Sequence, residues 1–317
     1  MYYLGIDGGG TKTKAILSTV LGEIIGIGYG GPSSIRTVSN EETKESIYLA
    51  IEEALNGKNR PLTSVFAGLG DIESSEDKKL VEDIIKDMEF ISDSTLVEVE
   101  SDIYSALYAG LGNLNEGVSV IVGTGSVAFG KNGELTKRVG GYSYKEGDPG
   151  SSFFLGRLCL WHVSKILDGR RKKTSFGSEL MELLNVTDRL SYVEMLDEYY
   201  LNRTKTAQLA KLVTTFATIG DVYAIEIMNE GIKGIVDIID TCTNQLKLKE
   251  KNVAIIGSLG NYPLYFKRIE EELHKIDSKY TIFKSLLDPS LGAVIGAISN
   301  DGISVTDKLI TKLGKQW

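Results

Sequence analysis

Short runs of apolar residues alternate along the first third of the chain with longer segments whose apolar residues recur every three or four positions. The short runs predict β-strands, and the longer segments predict amphipathic helices. The resulting order, βββαβαβα, predicts a mixed sheet covered by helices. We expect Asn40 to cap the first helix. Strands are predicted at 1–6, 14–19, 23–29, 63–69 and 95–100, and helices at 40–55, 75–87 and 102–112.

The same order of strands begins again at residue 116, which suggests an internal repeat. The second copy differs by a long helical insertion, from about 151 to 249, that precedes its last two strands. Strands are predicted here at 116–122, 127–131, 134–140, 253–256 and 280–283, and helices at 153–167, 204–218, 221–246, 262–275, 305–313 and from 288 onward.

A chain of 317 residues is long for a single core, so we expect two domains. The first would span 1–109 as a substrate and phosphate domain, joined by the C-terminal helix 300–317. The second would span 110–299 as a nucleotide-binding domain that carries the insertion. A junction made of the helix at 102–112 suggests a hinge.

Composition narrows the class of partner. A net charge of −8 argues against a nucleic-acid or anionic-membrane surface and favours a cytoplasmic protein that handles small molecules. No run of about 18 apolar residues predicts a membrane span. Cys159 and Cys242 lie too far apart for a disulfide framework or zinc site, and His162 and His274 lie in helical patterns typical of structural residues. The sequence does not fix the oligomeric state, and a homodimer stays open.

The stretch Gly5-Ile6-Asp7-Gly8-Gly9-Gly10-Thr11-Lys12-Thr13-Lys14 predicts a strand that runs into a tight glycine turn. Glycine lets backbone amides approach a ligand closely, so such a turn can bind an anion. Asp7 would then stand where a divalent cation bridging phosphates would sit. A glycine-rich β-hairpin with an ordinary turn aspartate is the alternative. We expect Lys12 and Lys14 to be solvated strand residues without a catalytic role.

Three further motifs follow in order. ESDIYSA carries Asp102 at a strand-to-helix junction, VIVGTGS forms a second glycine turn, and GGYSYKEGDPGSSFFLG holds Asp148 before a helix. Phosphoryl transfer from ATP needs a metal ion, backbone donors around the phosphates and a carboxylate that orients the attacking hydroxyl, and this set offers a candidate for each. Taken alone, Asp102 could instead cap its helix, and Asp148 could be a turn residue.

The order and spacing of these motifs resemble the sugar kinase, heat-shock chaperone and actin ATPase superfamily, and within it the BadF/BadG/BcrA/BcrD ATPase and N-acetylglucosamine kinase family. DGGGTKTK, GTGS, GDxGS and the final PxxGA carry the resemblance. It implies an α/β fold of two ribonuclease H-like (actin-type ATPase) domains with duplicated βββαβαβα topology. It also implies that ATP binds in an interdomain cleft and that the second domain holds the helical insertion.

The resemblance also implies roles for individual residues. Asp7 would hold Mg²⁺, and Asp102 would be the catalytic base. The remaining positions would contact the nucleotide, at Gly9, Gly10, Thr11, Gly123, Thr124, Gly125, Gly257 and Ser258, or the substrate, at Ser34, Ser126, Gly141 and Asp148.

The activity implied is an ATP-dependent carbohydrate kinase that transfers the γ-phosphoryl group to a hydroxyl of a small sugar of the N-acetylglucosamine or hexose type. Ser34 stands where the family usually has a sugar-binding asparagine, which weakens the case for N-acetylglucosamine. A kinase for a sugar acid such as 2-keto-3-deoxygluconate is therefore the alternative, because Arg36 could bind a carboxylate. Arg36 could equally be an exposed loop residue.

A second class of function is an ATPase that activates a dehydratase through an iron–sulfur cluster, as some relatives do. Those relatives place a cysteine close to the second glycine turn, whereas VIVGTGSVAFG contains none. Two distant cysteines could hold a cluster only across a subunit interface. A third possibility, a sugar-sensing domain without activity, would require loss of the base or the metal aspartate, and both are present.

Overall fold

The computed structural model describes residues 1–58, 60–285 and 287–316. The chain forms two compact units, each with its own sheet. Unit 1 comprises Met1–Asn115 and Ser285–Trp317, of which Trp317 lies outside the described residues, and unit 2 comprises Glu116–Lys284. None of the helices in the described part of the chain has the length and apolar character that a membrane crossing requires.

The sheet of unit 1 has five strands: β1 (Tyr2–Gly8), β2 (Thr13–Thr19), β3 (Ile24–Gly30), β4 (Leu62–Leu69) and β5 (Leu96–Ser101). They are ordered β3-β2-β1-β4-β5. The central strand β1 is antiparallel to β2 and parallel to β4. Leu4 and Ile6 face one core of the unit and Tyr3 faces the other, as the alternation of side chains along a strand requires.

The helices of unit 1, numbered along the whole chain, are α1 (Asn40–Leu55), α2 (Ser75–Lys86), α3 (Asp102–Leu111), α11 (Pro289–Asn300) and α12 (Asp307–Lys315). The N-cap of α1 is Ser39, so the prediction of Asn40 is wrong by one residue. Ser39 Oγ accepts the N–H of Glu42 at 3.2 Å, and the Glu42 carboxylate accepts the N–H of Ser39 at 3.0 Å. This reciprocal capping box needs a residue three positions before Glu42, which Asn40 is not.

Unit 2 repeats this arrangement with the strands β6 (Glu116–Val122), β7 (Ser126–Asn132), β8 (Leu135–Gly140), β9 (Lys251–Ile256) and β10 (Tyr280–Lys284). They are ordered β10-β9-β6-β7-β8, with β6 antiparallel to β7 and parallel to β9. The central strand, its antiparallel hairpin neighbours and its two parallel neighbours are therefore the same in both units. The predicted duplicated α/β fold is confirmed.

The helices of unit 2 are α4 (Ser152–Leu167), α5 (Ser175–Leu183), α6 (Arg189–Leu201), α7 (Arg203–Gln208), α8 (Ala210–Thr218), α9 (Val222–Gln245) and α10 (Pro263–Ile276). The insertion is more divided than the sequence predicts. The segment predicted as one helix at 204–218 is helical but forms two helices, because Leu209 separates α7 from α8. The N–H of Leu209 donates to the carbonyl of Thr206, three residues back, at 3.1 Å, and this tighter turn interrupts the α-helical ladder.

Helices α5 and α6 lie inside the predicted helical insertion, in a segment for which the apolar pattern predicts no individual helix. In α6 the apolar residues surround the axis: Leu190 and Val193 are exposed, whereas Tyr192 and Met195 are buried. Apolar residues on several faces blur the three-to-four spacing from which a helix is predicted.

The boundaries between the two compact units lie between residues 115 and 116 and between residues 284 and 285. The predicted ranges, 1–109 and 110–299, differ from these points, chiefly because α11 packs with β1, β4 and α3 of unit 1. The division of labour between a substrate domain and a nucleotide domain stays a prediction.

Helix α11 approaches its neighbours at backbone distance. A Cβ added to Gly292 would meet the carbonyl oxygen of Ser105 and would lie 2.7 Å from the backbone nitrogen of Ala109 in α3. A Cβ added to Gly5 of β1 would lie 2.6 Å from the carbonyl carbon of Ala293. Because glycine has no Cβ, it permits both contacts, and α11 can lie directly against the central strand.

His162 and both cysteines are buried in unit 2. The His162 ring lies between Phe176 and Tyr223, with centroids 5.3 and 4.9 Å away, and its Nδ1 is 3.0 Å from Nη1 of Arg171. Arginine only donates, so Nδ1 accepts and the neutral ring carries its proton on Nε2. Burial, helped by Arg171, lowers the pKa of His162 to about 4, which supports the structural role that the sequence predicts.

Cys159 on α4 and Cys242 on α9 each have no exposed surface. Burial raises the pKa of both thiols above the ordinary value for cysteine. Neither sulfur therefore lies at a surface where a second subunit could reach it.

Replacing Gly292 with alanine should destabilise the protein. Alanine gains about 1 kcal/mol of helix propensity over glycine. Overpacking costs about 1–3 kcal/mol and dominates here, because the atoms that the new Cβ meets belong to backbone that cannot turn aside. We expect the free energy of unfolding, measured in urea, to fall by about 1–2 kcal/mol. Asn300→Ala, at the exposed end of α11, is the control and should change it by less than about 0.5 kcal/mol. Equal stability of Gly292→Ala and wild type would contradict the close packing.

His162 should make the protein sensitive to acid. Its folded pKa of about 4 lies below the ordinary 6.5, so the unfolded chain binds this proton more tightly, and stability is lost as the pH falls from about 6.5 towards 4. The other charged groups acting on the ring are Asp221, which opposes the shift, and Lys165, which adds to it.

We expect His162→Gln, which cannot titrate, to lose about 1–3 kcal/mol less than wild type in free energy of unfolding between about pH 7 and pH 4. His274→Gln, at the exposed histidine, is the matched control and should follow wild type. The same acid sensitivity in all three proteins would rule out His162 as its source.

Candidate active site

The first glycine turn joins β1 to β2 and lies at the end of the central strand of unit 1. The N–H of Gly9 donates to the carbonyl of Lys12 at 3.2 Å, which closes the turn. The carbonyl of Gly9 accepts the N–H of Ser33 at 2.9 Å, so the segment that carries Ser34 is tied to this turn. Gly10 and Thr11 are exposed at its tip.

Asp7 lies one residue before the end of β1, opposite Lys14 of β2 and Gly68 of β4. Its carboxyl group is partly buried. Burial, followed by the negative charges of Asp288 and Asp102, raises the pKa of Asp7 to about 7, while Lys14 and Lys12 oppose the shift. The carboxylates of Asp288 and Asp102 thus act on that of Asp7 at this edge of unit 1, and a cation there would relieve the repulsion.

Lys14 is not the solvated strand residue that the sequence predicts. Its side chain is 12% exposed, its Nζ lies 3.9 Å from Oδ1 of Asp288, and burial lowers its pKa. Asp288 is the N-cap of α11 and accepts the N–H of Ser290 at 3.0 Å. The close packing of α11 on β1 brings this carboxylate to the end of the central strand.

Asp102 is the first residue of α3 and is exposed. The N-cap position belongs to Ser101, whose hydroxyl donates to Oδ1 of Asp102 at 3.3 Å. Asp102 therefore stands one residue inside the helix, not at the cap. The positive end of the α3 dipole favours the ionised carboxylate that a base requires.

Ser34 is buried, and its hydroxyl donates to the carboxylate of Asp71. Asp71 follows β4 with a φ of 66°, and the N–H of the preceding Gly70 donates to the carbonyl of Gly8 at 2.8 Å. The Ser34–Asp71 pair thus lies beside the first glycine turn. Arg36 has other partners, since its Nη2 is 3.4 Å from Asp77 and 3.7 Å from Glu73.

The second glycine turn, between β6 and β7, is anchored to the start of α4. The carbonyl of Gly123 accepts the N–H of Ser152 at 2.8 Å, and that of Thr124 accepts the N–H of Phe153 at 3.3 Å. Ser126 Oγ donates to the carbonyl of Pro149 at 2.7 Å. Hydrogen bonds therefore join the second glycine turn to the start of α4.

Asp148 lies in the turn before α4 and is 3% exposed, with a φ of 42°. Its Oδ2 accepts from Nη2 of Arg203, the first residue of α7, at 3.1 Å. Burial raises the pKa of Asp148, and Arg203 opposes that shift. Gly141 follows β8, and a Cβ there would be 2.9 Å from that of Val127, the residue after Ser126 in β7.

The loop that holds Gly257 and Ser258 follows β9 and lies against the second glycine turn. The N–H of Gly260 donates to the carbonyl of Val122, the last residue of β6, at 3.0 Å. A cavity of about 260 Å³ opens beside them within unit 2. Its walls come from the turn, this loop and the insertion helices α7 and α8, and include Thr124, Ser258, Gln208, Lys211 and Tyr262.

Gly9 and Gly123 hold matching positions, each the first turn residue beyond a central strand. A Cβ added at either would meet no atom of the described residues within 4 Å, and neither has a φ in the left-handed region. The fold of the described chain therefore does not itself require glycine at these two positions. Space left by a missing Cβ is what a phosphate close to the backbone would use.

Within unit 1 the structure gathers Asp7, the first turn, Ser34 and Asp102, and within unit 2 it gathers the second turn, Asp148 and the Gly257 loop. It also reveals three neighbours that the sequence does not predict: Asp71, Asp288 and Arg203. Asp71 follows a strand parallel to β1, and the ends of parallel strands meet at one edge, which is a usable signal. For Asp288 the sequence offers only the pattern of an N-cap aspartate before a proline. No sequence pattern indicates that Arg203 lies near the site.

Two curated proteins resemble the chain over almost its full length. An N-acetylmuramic acid/N-acetylglucosamine kinase from Clostridium acetobutylicum is 27% identical over 305 residues, which cover 94% of this chain and 98% of that protein. An N-acetyl-D-glucosamine kinase from Dictyostelium discoideum is 28% identical over 318 residues, with the same coverage of 94% and 98%.

A solved structure supports the fold. A protein from Porphyromonas gingivalis, named as a candidate N-acetylglucosamine kinase, superposes with a TM-score of 0.71 at 18% identity, covering 96% of this chain and all of that one. Residues 4–298 match the sequence profile of the BadF/BadG/BcrA/BcrD ATPase family. This match includes both glycine turns, Asp102, Asp148 and the final PxxGA motif. The resemblance seen in the motifs is therefore confirmed, and the chain belongs to the BadF/BadG/BcrA/BcrD ATPase family.

Proposed function

We propose that this protein is an ATP-dependent kinase that transfers the γ-phosphoryl group to a hydroxyl of a small sugar of the amino-sugar or hexose class. The observation that carries the proposal is the pair of glycine turns at which Gly9 and Gly123 leave space beside the backbone. Amide groups in such turns bind phosphates. Membership of an ATPase family and the names of the curated relatives support the same activity.

In this proposal the nucleotide binds to unit 2. The cavity of about 260 Å³ is close to the roughly 300 Å³ at which ligand pockets begin, so it suits part of a nucleotide. Tyr262 offers a ring for the base, and Ser258 offers a hydroxyl from the predicted adenosine loop. Thr124 belongs both to the cavity wall and to the second turn, so a nucleotide in the cavity would direct its phosphates to Gly123, Gly125 and Ser126.

Magnesium fits the carboxylates of unit 1. Asp7 would hold the ion, with Asp288 close by, because carboxylate oxygens suit Mg²⁺ and the raised pKa of Asp7 marks a place short of positive charge. The described residues contain no group of three or more His, Cys, Asp or Glu that could enclose a metal. Mg²⁺ needs no such cage, since it keeps water ligands and binds substrate phosphates. When bound, it would neutralise charge on those phosphates.

Asp102 would act as the base. It would accept the proton of the sugar hydroxyl while that oxygen bonds to the γ-phosphorus and the bond from phosphorus to the bridging oxygen breaks, which releases ADP. Its place at the start of α3, where the dipole favours the anion, supports this role. Ser34, held by Asp71, and Asp148 with Gly141 would contact the sugar.

Two alternatives lose support. The Nη2 atom of Arg36 lies near the carboxylates of Asp77 and Glu73, with which the carboxylate of a sugar acid would have to compete. The iron–sulfur activator would need its cysteines at a subunit interface, whereas Cys159 and Cys242 are both buried within unit 2.

The proposal is tested by an ADP-release assay with ATP and Mg²⁺ across N-acetylglucosamine, glucosamine, N-acetylmannosamine, glucose, N-acetylmuramic acid and 2-keto-3-deoxygluconate. We expect an amino sugar or a hexose to stimulate ADP release well above the rate with ATP alone. Stimulation by 2-keto-3-deoxygluconate alone would favour the alternative substrate. No stimulation by any sugar would refute the kinase proposal.

Asp102→Asn should lower kcat by about 10²–10⁴-fold, because asparagine cannot accept the hydroxyl proton. Nucleotide affinity, measured by calorimetry, should change little, since the proposed nucleotide contacts belong to other residues. Asp307→Asn is the matched control, because Asp307 is likewise an exposed aspartate at the first position of a helix, α12. If Asp102→Asn turned over as fast as Asp307→Asn, Asp102 would not be the base.

A further inference from the structure

Arg203 reaches Asp148 from a part of the chain to which the sequence assigns no role. The two residues are 55 positions apart, and Nη2 of Arg203 donates to Oδ2 of Asp148 at 3.1 Å. Asp148 is 3% exposed, so its carboxylate has little water to stabilise the negative charge. A buried carboxylate needs a partner of opposite charge to stay ionised, and Arg203 is that partner.

The guanidinium of Arg203 has two further neighbours, Tyr144 and Gly125. Its Cζ lies 5.6 Å from the centroid of the Tyr144 ring, which in turn packs edge-to-face on Phe153 of α4, with centroids 5.3 Å apart. The pair also lies directly over the second glycine turn: a Cβ on Gly125 would meet Nη2 of Arg203 and would lie 2.8 Å from Oδ2 of Asp148. Arg203 therefore holds Asp148 against the turn that would bind the phosphates.

The same short helix also lines the cavity. Arg203 begins α7, and its neighbours Thr204, Ala207 and Gln208 form part of the cavity wall together with Thr124 and Ser258. One six-residue helix thus touches the carboxylate proposed to contact the sugar and the cavity proposed to contain the nucleotide.

On the basis of the proposed kinase function, we propose that Arg203 is a positioning residue that keeps Asp148 oriented for the acceptor sugar. Through α7 it links acceptor binding to the nucleotide cavity, which gives the helical insertion a function. Arg203 itself does not touch the reacting atoms in this proposal. Its loss should therefore weaken sugar binding more than it slows the chemical step, and it should weaken the effect of nucleotide on sugar affinity.

The pH dependence should change as well. Burial raises the pKa of Asp148, Arg203 and Arg138 lower it, and Glu146 raises it. Without Arg203, burial and Glu146 still raise the pKa of Asp148, and only Arg138 lowers it. Asp148 should therefore protonate at higher pH. The acidic limb of kcat/KM for the sugar should move upward in pH. A purely structural role for Arg203 would lower the folded fraction without moving this limb.

The test compares Arg203→Met, Arg203→Lys and the control Arg170→Met, using the sugar that turns over fastest in the assay described above. Arg170 is also an insertion arginine paired with an aspartate, Asp168, but that pair is exposed. The Arg203 side chain is 42% exposed, but Asp148 is buried, and leaving a buried carboxylate without its partner is costly. We therefore expect Arg203→Met to raise KM for the sugar by about 10- to 100-fold, with kcat changed by less than about fivefold. Arg203→Lys should restore part of the loss, and Arg170→Met should match wild type.

Three further measurements complete the test: melting temperature, nucleotide affinity, and sugar affinity with and without nucleotide. Melting temperature and nucleotide affinity, by scanning fluorimetry and calorimetry, identify a variant that has simply unfolded, in which case the milder Arg203→Lys decides. Nucleotide should tighten sugar binding to wild type more than to Arg203→Met. If Arg203→Met matched Arg170→Met in KM, pH profile and this coupling while wild type was active, the inference would be wrong and the kinase proposal would stand. If wild type transferred phosphate to no sugar, both would fail.

Discussion

Each unit is organised by a central strand that has an antiparallel neighbour on one side and a parallel neighbour on the other. The antiparallel neighbour requires a tight turn at the end of β1 and of β6, because consecutive antiparallel strands are joined by short hairpins. The parallel neighbour, β4 or β9, ends at the same edge and delivers its following loop there. Gly70 donating to Gly8, and Gly260 donating to Val122, are the hydrogen bonds that join loop to central strand.

This constraint explains why polar groups from distant parts of the sequence gather at one edge of each sheet. In unit 1 it collects Asp7, the Ser34–Asp71 pair and Asp102, and the backbone contact at Gly292 adds Asp288. Burial of Asp7, followed by the negative charges of Asp288 and Asp102, raises the free energy of the ionised state, so the pKa of Asp7 moves towards neutrality.

The fold could be predicted from sequence because its signals are local. Strand alternation and the two glycine turns identify both sheets, and the strand Glu116–Val122 has the predicted bounds. Signals failed where a contact, not a local pattern, decides the structure. Ser39 caps α1 because it exchanges hydrogen bonds with Glu42. The helical spacing of α6 is not visible in the sequence because apolar residues lie on all sides of the helix. Arg203 and Asp148 are 55 residues apart, so no local sequence pattern predicts that they pair.

The burial of the two cysteines has a consequence for how the protein responds to oxidants and alkylating reagents. A thiol reacts as its thiolate and only when a reagent can reach it, and neither condition holds for Cys159 or Cys242 in the folded unit 2. Both belong to the same unit, and unit 1 contains no cysteine. The rate of thiol modification therefore reports the opening of unit 2, so the chain carries its own probe for the stability of the half that holds both cysteines.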